Sequence, residues 1–256
     1  MMVLTTFASG SSGNCALLRM DGVNLLLDAG ISWRRICTDL RAIGVAPEAL
    51  DAVLITHEHS DHIAGLGTLL KCCSAPICAP RVVARSIERT VAGAAARLRC
   101  FAPGTPEEIG ALRVSCFATS HDTAESVGWR IEGSGVFALA TDTGCVTPEI
   151  LSGLRGADAA LIEANHDVDM LRFGPYPVYL KRRILSARGH LSNDDCAALA
   201  AALAESGTRQ IILGHLSREN NSPARAYQTV SAALEGTSCA LCVAPAAERL
   251  TVEVEP

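Results

Sequence analysis

The most informative stretch for the fold of this chain is Thr56-His57-Glu58-His59-Ser60-Asp61-His62, which follows the apolar run Val53-Leu54-Ile55. Extended backbone sends alternate side chains to one face, so His57 and His59 can meet at one point. Asp61 and His62 begin the next turn of the chain and can face a second point beside the first. Three imidazoles and the Asp61 carboxylate within residues 57–62 therefore predict a site for two metal ions.

The overall composition predicts a globular protein. Of its 256 residues 49% are hydrophobic, which is enough to build a large core. No internal repeat or low-complexity linker divides the chain, so we expect a single domain over residues 1–256. The net charge of -5 and the absence of long like-charge runs do not indicate nucleic-acid binding globally, although a local basic patch remains open.

The N-terminus and the cysteines predict where the protein resides. The first residues lack a basic start followed by a long apolar stretch, and no window reaches about 18 consecutive apolar residues, so we expect a cytoplasmic protein that does not contact membranes. Eleven scattered cysteines, an odd number, favour reduced thiols in a reducing compartment. Cys239 and Cys242 have zinc-site spacing, but no second pair lies at the usual distance, which disfavours a structural zinc there.

Hydrophobic periodicity predicts two β-rich halves, each followed by helices. Asp21-Gly22 is a strong hairpin signal between two strands, and Ser192 to Asp195 has good helix-capping chemistry. The halves predict two sheets packed together with helices outside. The predicted strands are 14–20, 23–28, 51–55, 76–79, 112–119, 127–132, 136–141, 157–163 and 210–213, with one or two short strands in the last twenty residues. The predicted helices are 33–43, 62–72, 81–91, one beginning near 192, and 223–234.

A two-metal site needs further ligands, and three candidates follow predicted strands. They are His121, Asp142 and His215. Strand ends carry functional loops on a rigid scaffold, so convergence of the three with the first cluster is plausible. Taken singly, Asp142 could equally be a turn residue, and each histidine could be a hydrogen-bonded loop residue.

Together these residues resemble the metallo-β-lactamase superfamily, whose pattern also includes an acid after an early strand, here Asp28 in Leu-Leu-Leu-Asp-Ala-Gly. The resemblance implies an α/β fold, a four-layer αββα sandwich of two mixed β-sheets with helices on the outer faces. It implies that Asp142 bridges the two metals and that Asp28 orients a ligand without binding metal. The implied ligands are His57, His59 and His121 for one metal, and Asp61, His62 and His215 for the other.

The resemblance narrows to the YycJ/WalJ-like branch of metallohydrolases. The signatures are Ala-Ser-Gly-Ser-Ser-Gly-Asn at 8–14, Glu-Ala-Asn-His-Asp at 163–167, Gly-His-Leu-Ser-Asn at 189–193 and Gly-His-Leu-Ser-Arg-Glu-Asn-Asn at 214–221. Members of this branch resemble exonucleases that act on DNA from 5′ ends, so DNA is favoured over RNA as the substrate.

The same resemblance implies how the reaction is catalysed. Similarity to the superfamily's tRNA-processing ribonucleases makes Glu163 and His190 a proton-transfer pair, and Asp61 is expected to be catalytic as well as a ligand. His190 could instead be a helix-start histidine satisfied by the backbone. His166 is expected either to support the site from behind the ligands or to be merely polar.

A nucleic-acid substrate also needs cations near the site. Basic residues cluster around Glu163, His190 and His215, and Phe173, Tyr176 and Tyr179 lie in the same stretch. A solvated surface would explain the same cluster, and a tight turn would explain the Gly/Ser-rich loop at 10–13. The predicted substrate-binding residues are Ser11, Ser12, Asn14, Arg172, Lys181, Arg182, Arg218 and Asn220, with Arg183 and Arg188 in the same basic cluster.

The metal and the reaction class are predicted from the ligand types. Imidazole-rich ligation favours two zinc ions, with manganese or iron as alternatives. His59 favours hydrolysis, because di-iron redox relatives usually resemble His-x-Glu-x-Asp-His at this point. One alternative is hydrolysis of a small ester, thioester, lactone or cyclic phosphodiester. An alternative of another class is a non-catalytic metal-binding or thiol redox-sensing protein.

Overall fold

The computed structural model describes residues 1–255 and contains two seven-stranded β-sheets. The first sheet has the order β14-β1-β2-β3-β4-β5-β6. Its strands are antiparallel from β14 to β3 and parallel from β3 to β6. The strands are β1 (Met2–Ala8), β2 (Cys15–Met20), β3 (Val23–Leu27), β4 (Ala52–Leu54), β5 (Ile77–Pro80), β6 (Leu98–Phe101) and β14 (Leu250–Val254).

The second sheet repeats this mixed arrangement in the order β13-β12-β11-β10-β9-β8-β7. It is parallel from β13 to β10 and antiparallel from β10 to β7. The strands are β7 (Glu107–Ile109), β8 (Leu112–Ala118), β9 (Val127–Glu132), β10 (Val136–Ala140), β11 (Ala159–Glu163), β12 (Gln210–Gly214) and β13 (Ala240–Val243).

Helices connect the strands. In chain order they are α1 (Trp33–Ala42), α2 (Ser60–Ile63), α3 (Leu66–Cys72), α4 (Arg81–Thr90), α5 (Pro148–Leu154), α6 (Val168–Phe173), α7 (Val178–Ile184), α8 (Asn193–Glu205) and α9 (Pro223–Ala233). Ser192 caps α8 as its sequence predicts, with the hydroxyl oxygen accepting from the backbone N–H of Asp195 at 3.1 Å. None of the helices within residues 1–255 is long and apolar enough to span a bilayer.

Three buried apolar clusters separate four layers. The central cluster holds side chains from both sheets, including Leu25 and Trp129. A second cluster joins the first sheet to α1, α3 and α4, and a third joins the second sheet to α5, α8 and α9. The layers therefore run helix, sheet, sheet, helix, and the predicted αββα sandwich of two mixed sheets is confirmed. The single-domain organisation stays a prediction, which the pairing of β14 with β1 supports.

The predicted helix over 62–72 is wrong as one element, because the chain forms α2 and α3 with a break between them. At the break, the backbone N–H of Gly65 donates to Ala29 O at 2.8 Å. A Cβ at Gly65 would lie 2.4 Å from Ile31 O, so this close approach requires glycine. Strands β1, β6 and β7 and helices α5, α6 and α7 were not predicted, because segments of three to seven residues show too little periodicity.

The cysteines make no disulfide within residues 1–255, and most of their thiols are buried. Burial raises the pKa of the Cys78 thiol to about 12. Cys239 and Cys242 belong to no cluster of three metal-type side chains in the same residues. Within residues 1–255, no cysteine belongs to the groups of ligand atoms described next.

Candidate metal centre

Parallel strands bring the predicted ligands to one edge of the sheets. β3 and β4 are parallel neighbours in the first sheet, and β10, β11 and β12 are parallel neighbours in the second. Asp28 follows β3 and the His57 cluster follows β4, whereas Asp142 follows β10 and His215 follows β12. Because neighbouring parallel strands end at the same edge, residues far apart in sequence meet in one place.

One group of three imidazoles converges there. The ligand atoms of His57, His59 and His121 all lie within 4.8 Å of one another. Nε2 of His121 lies 3.3 Å from Nδ1 of His59, and the His57 and His59 rings meet edge to face at 4.5 Å between centroids. Three imidazole nitrogens that face one point form a suitable ligand set for a divalent cation.

A second group lies beside the first. Asp61, His62 and His215 also place their ligand atoms within 4.8 Å of one another. Oδ2 of Asp61 lies 3.6 Å from Nε2 of both His62 and His215. The His57 and His62 ring centroids are 4.1 Å apart, so the two groups are adjacent.

Asp142 lies between the two groups and is buried. Its Oδ1 is 3.7 Å from Nε2 of His121, in the first group, and 3.5 Å from Nε2 of His215, in the second. Its Oδ2 is 3.3 Å from Nε2 of His62. One carboxylate thus contacts both groups, which is the position required of a bridging ligand.

Asp28 lies behind His62. Its Oδ2 is 2.8 Å from Nδ1 of His62, and Thr56 Oγ1 lies 3.0 Å from the same carboxylate oxygen. When Nδ1–H donates to a carboxylate, the lone pair on Nε2 stays free to bind a metal. This placement supports the orienting role predicted for Asp28.

Backbone strain is concentrated at the site. Four non-glycine residues within residues 1–255 have clearly positive φ angles, and Asp21 is in the β2–β3 hairpin turn. The other three are Asp28, Asp142 and His215, each with φ of 56°. Left-handed backbone costs a non-glycine residue about 1 kcal/mol or more, and such strain is characteristic of functional sites.

Glu163, at the end of β11, contacts two histidines at once. Its Oε1 lies 2.7 Å from Nδ1 of His190 and 3.0 Å from Nδ1 of His215. Its Oε2 accepts from the backbone N–H of Thr143 at 2.8 Å and of Leu191 at 3.3 Å. The buried carboxylate therefore orients both the predicted proton donor and a predicted metal ligand.

The charge state of this pair follows from its surroundings. Burial disfavours the charged form of Glu163, but His190 and His215 outweigh burial and lower the pKa of the carboxyl to about 2. Burial also opposes the charged form of His190, but Glu163 raises its pKa above the ordinary value. Each member of the pair thus favours the charged form of the other, a carboxylate hydrogen-bonded to an imidazolium.

The side chains present fit divalent cations. Within residues 1–255, the buried atoms Nε2 of His57, Nε2 of His215 and Oδ2 of Asp142 have no hydrogen-bond partner. Buried polar atoms are costly when unpaired, and these three belong to the two groups of ligand atoms described above. Imidazole and carboxylate donors are the ligand types that divalent transition metals prefer.

Comparison with known proteins agrees with this geometry. Residues 23–216 match the family described as the β-lactamase superfamily domain. The chain belongs to the metallo-β-lactamase superfamily. Within this superfamily it is 40% identical over 227 residues to the exodeoxyribonuclease WalJ of Streptococcus pneumoniae, covering 87% of this chain and 84% of the relative. It is 36% identical over 233 residues to the exodeoxyribonuclease YycJ of Bacillus anthracis, covering 90% and 88%.

A solved structure shows the same metallo-β-lactamase fold. The metallo-β-lactamase fold protein YhfI of Bacillus subtilis superposes with a TM-score of 0.76 at 19% identity, covering 99% of this chain and 100% of that protein. The two proteins therefore share this fold at low sequence identity.

The predicted substrate-binding residues differ in whether their polar groups already have hydrogen-bond partners in the protein. Arg172 and Arg182 are exposed, and their guanidinium groups have no partner within residues 1–255. Lys181 donates from Nζ to the carbonyls of Arg172 and Gly174, at 2.8 and 2.7 Å, and so holds α6 to α7. Arg218 donates to Ser12 Oγ at 2.8 Å, beside the exposed Ser11.

Two amide residues from the same set are buried. Asn14 donates from Nδ2 to Asp61 Oδ2 at 3.4 Å and lies 3.0 Å from Nε2 of His62, so it contacts two predicted ligands. Asn220 is fully buried beside Gly174. Direct substrate contact by either residue stays a prediction, and burial favours a positioning role.

His166 lies apart from the ligand groups. It is buried, and within residues 1–255 neither ring nitrogen has a hydrogen-bond partner. Burial lowers its pKa to about 4, so the imidazole is neutral at physiological pH. Its predicted support of the site stays a prediction.

Several residues that shape the site were not predicted from the sequence. Thr56 Oγ1 lies 3.1 Å from Nδ1 of both His57 and His62. Its position directly before the histidine cluster could have indicated this role from the sequence. Gly189 O lies 3.1 Å from Nδ1 of His121 and fixes the orientation of that ring. Asp122 Oδ1 lies 3.2 Å from Nε2 of His121 and 4.0 Å from Nε2 of His59.

Proposed function

We propose that this protein is a DNA exonuclease that hydrolyses phosphodiesters with two divalent cations, zinc being favoured. The observation that carries the proposal is the hydrogen-bonded pair of Glu163 and His190 beside two adjacent ligand groups that share Asp142. Relatives that cover most of the chain are named exodeoxyribonucleases, which supports DNA as the substrate. We also propose that it acts from 5′ ends and in the cytoplasm, where free cysteines remain reduced.

The proposed cations would be held by residues from both sheets. His57, His59 and His121 would hold one, and Asp142 would contact both. Asp61, His62 and His215 would hold the other. When bound, such cations supply Lewis acidity and make water a nucleophile near neutral pH. No side-chain nucleophile is then required of the protein.

The chain itself supplies the proton for the leaving oxygen. Glu163 accepts from Nδ1–H of His190, which leaves the Nε2–H of the imidazolium to donate. The His190 side chain is 19% exposed, whereas Glu163 is fully buried, so only the imidazole can reach substrate. A positioned general acid accelerates such a step by about 10²- to 10⁴-fold.

This pair favours a phosphodiester over a thioester, one of the small substrates considered as alternatives. The sugar oxygen that leaves in DNA hydrolysis is strongly basic and must be protonated, whereas a thiolate leaves without help. The exposed cations Arg172 and Arg182 also lie on the segment between Glu163 and His190, where backbone phosphates would need them. A thioesterase would require neither feature.

The proposal is tested by hydrolysis assays on four substrates with metal-loaded protein. These are end-labelled DNA, matched RNA, a small phosphodiester and a thioester. DNA labelled at either end gives the polarity, and metal analysis gives the identity and number of bound ions. We expect mononucleotide release from DNA and about two bound ions per chain.

Two variants make the result specific. Asp61→Ala removes a carboxylate that contacts His62 and His215, and should abolish DNA hydrolysis. Asp194→Ala, on the exposed N-terminus of α8, is the matched control and should behave like the parent. Turnover of the thioester with DNA left intact would contradict the proposed substrate.

A further inference from the structure

The α6–α7 hairpin, residues 168–184, exposes aromatic side chains beside the site. Phe173 is 86% exposed and Tyr179 is 74% exposed. Val178 is exposed in the same segment, which therefore holds three of the eight exposed large apolar side chains within residues 1–255, and a fourth, Leu185, directly follows it. Exposing so much apolar surface in one short segment is costly unless a partner covers it.

The same segment carries a strong local positive charge. Residues 172–188 contain five basic side chains and no acidic one, although the chain as a whole has a net charge of -5. Arg172 precedes Phe173 directly, and Lys181 and Arg182 closely follow Tyr179. Basic side chains thus flank the aromatic ones along the hairpin, and the charge is complementary to a polyanion.

Specific contacts hold the hairpin against the metal centre. Arg183 of α7 forms an ion pair with Asp122, whose other oxygen lies 3.2 Å from Nε2 of His121. On the other side, a Cβ at Gly174 would lie 2.9 Å from Oδ1 of Asn220, in the loop that follows His215. The hairpin therefore borders the ligand groups.

We propose that the α6–α7 hairpin binds single-stranded DNA next to the scissile phosphate, with Phe173 and Tyr179 stacking on unpaired bases. This inference rests on the proposed function and specifies the form of the substrate. Exposed aromatic rings need an accessible base face, which an unpaired base offers and a base inside a duplex does not. Arg172 and Arg182, which have no partner within residues 1–255, neutralise the neighbouring phosphates.

Binding is measured first, because it does not depend on cleavage. Fluorescence anisotropy compares a labelled strand with an unpaired 5′ end and the same strand in a blunt duplex, using metal-loaded protein in the His190→Gln background, which keeps every proposed metal ligand. The test variant is Phe173→Ala with Tyr179→Ala. Tyr227→Ala, a 46% exposed tyrosine on α9, is the matched control.

The expected result is a substrate-dependent loss. Stacking contributes about tenfold in affinity per base, so the double variant should bind the unpaired strand roughly a hundredfold more weakly. Binding of the blunt duplex should change by less than about threefold on the same reasoning, because its bases cannot stack on these rings. Phe173→Trp and Tyr179→Phe should retain binding, since each keeps an aromatic face.

Other outcomes would overturn the inference. An equal loss on both DNA forms, or no loss, would show that the rings do not stack on bases. A change of oligomeric state by light scattering in the double variant, with DNA binding intact, would show that this surface joins two copies of the chain. If the parent does not cleave DNA, the proposed function is wrong. If the parent cleaves DNA and the double variant cleaves both DNA forms equally well, only the hairpin inference is wrong.

Discussion

Replacing Glu163 by glutamine tests the proton-transfer pair. The Glu163 carboxylate accepts from four groups, namely His190 and His215 at Oε1 and the backbone N–H groups of Thr143 and Leu191 at Oε2. A glutamine side chain has one accepting oxygen and one NH₂ group. Whichever way the amide turns, its NH₂ must therefore face two groups that the native structure uses as donors.

The magnitude of the effect follows from these contacts. Loss of a positioned general acid lowers kcat on DNA by about 10²- to 10⁴-fold, or about 3–5 kcal/mol of transition-state stabilisation. Leaving buried donors unsatisfied costs a further ~1–3 kcal/mol of folding stability for each group. Because His215 also loses its carboxylate partner, metal affinity should fall by about 10- to 100-fold.

His190→Gln separates proton transfer from these structural effects. It removes the proposed acid and leaves the contact between Glu163 and His215, 3.0 Å long in the parent, in place. We expect this variant to keep its metal and to lose about 10²- to 10⁴-fold in kcat on DNA. It should lose little on a p-nitrophenyl phosphodiester, whose leaving group needs no protonation.

The assay measures kcat on both substrates at saturating metal, with metal content determined on the same samples. Equal losses on the two substrates would refute proton donation by His190. Activity of His190→Gln on DNA equal to that of the parent would refute any catalytic role for this residue. Glu163→Gln, by contrast, should lose activity on both substrates, because it also disturbs a ligand.

Three further predictions follow from the structure. Asp28→Asn should weaken metal binding about 10- to 100-fold in chelator competition, since the carboxylate that orients His62 is lost; unchanged affinity would remove Asp28 from the site. Gly30→Ala should destabilise the protein severely, because its Cβ would lie 1.6 Å from Asp61 O, whereas Gly67→Ala, inside α3 with open space around it, should stabilise by about 0.5–1 kcal/mol; equal melting temperatures would contradict both. His166 has a pKa of about 4 when folded and near 6.5 when unfolded, so the unfolded state takes up a proton first and stability falls as pH drops from about 6.5 to 4. This contribution is up to ~3 kcal/mol, and denaturant titrations should show a flatter pH dependence for His166→Gln; curves of the same slope would count against the neutral buried imidazole.

The features that could be predicted from the sequence are those that depend on residues close together in the chain. The spacing of His57, His59, Asp61 and His62 after a buried strand is enough to predict two adjacent ligand groups, because strand geometry fixes which side chains share a face. Long strands with regular alternation and well-capped helices such as α8 were also predictable. The break at Gly65 was not, because it depends on the approach of Ala29 and Ile31 from another part of the chain.

The sequence by itself determined the chemistry available: a dense set of imidazoles and carboxylates, each at the end of an apolar strand. Only the tertiary structure decided that Glu163 contacts His215 as well as His190, that Asp122 links α7 to the metal centre, and that the rings of Phe173 and Tyr179 stay exposed. The reason is physical. Residue types and spacing follow from covalent order, whereas these contacts exist only after two sheets pack and bring distant strand ends to one edge.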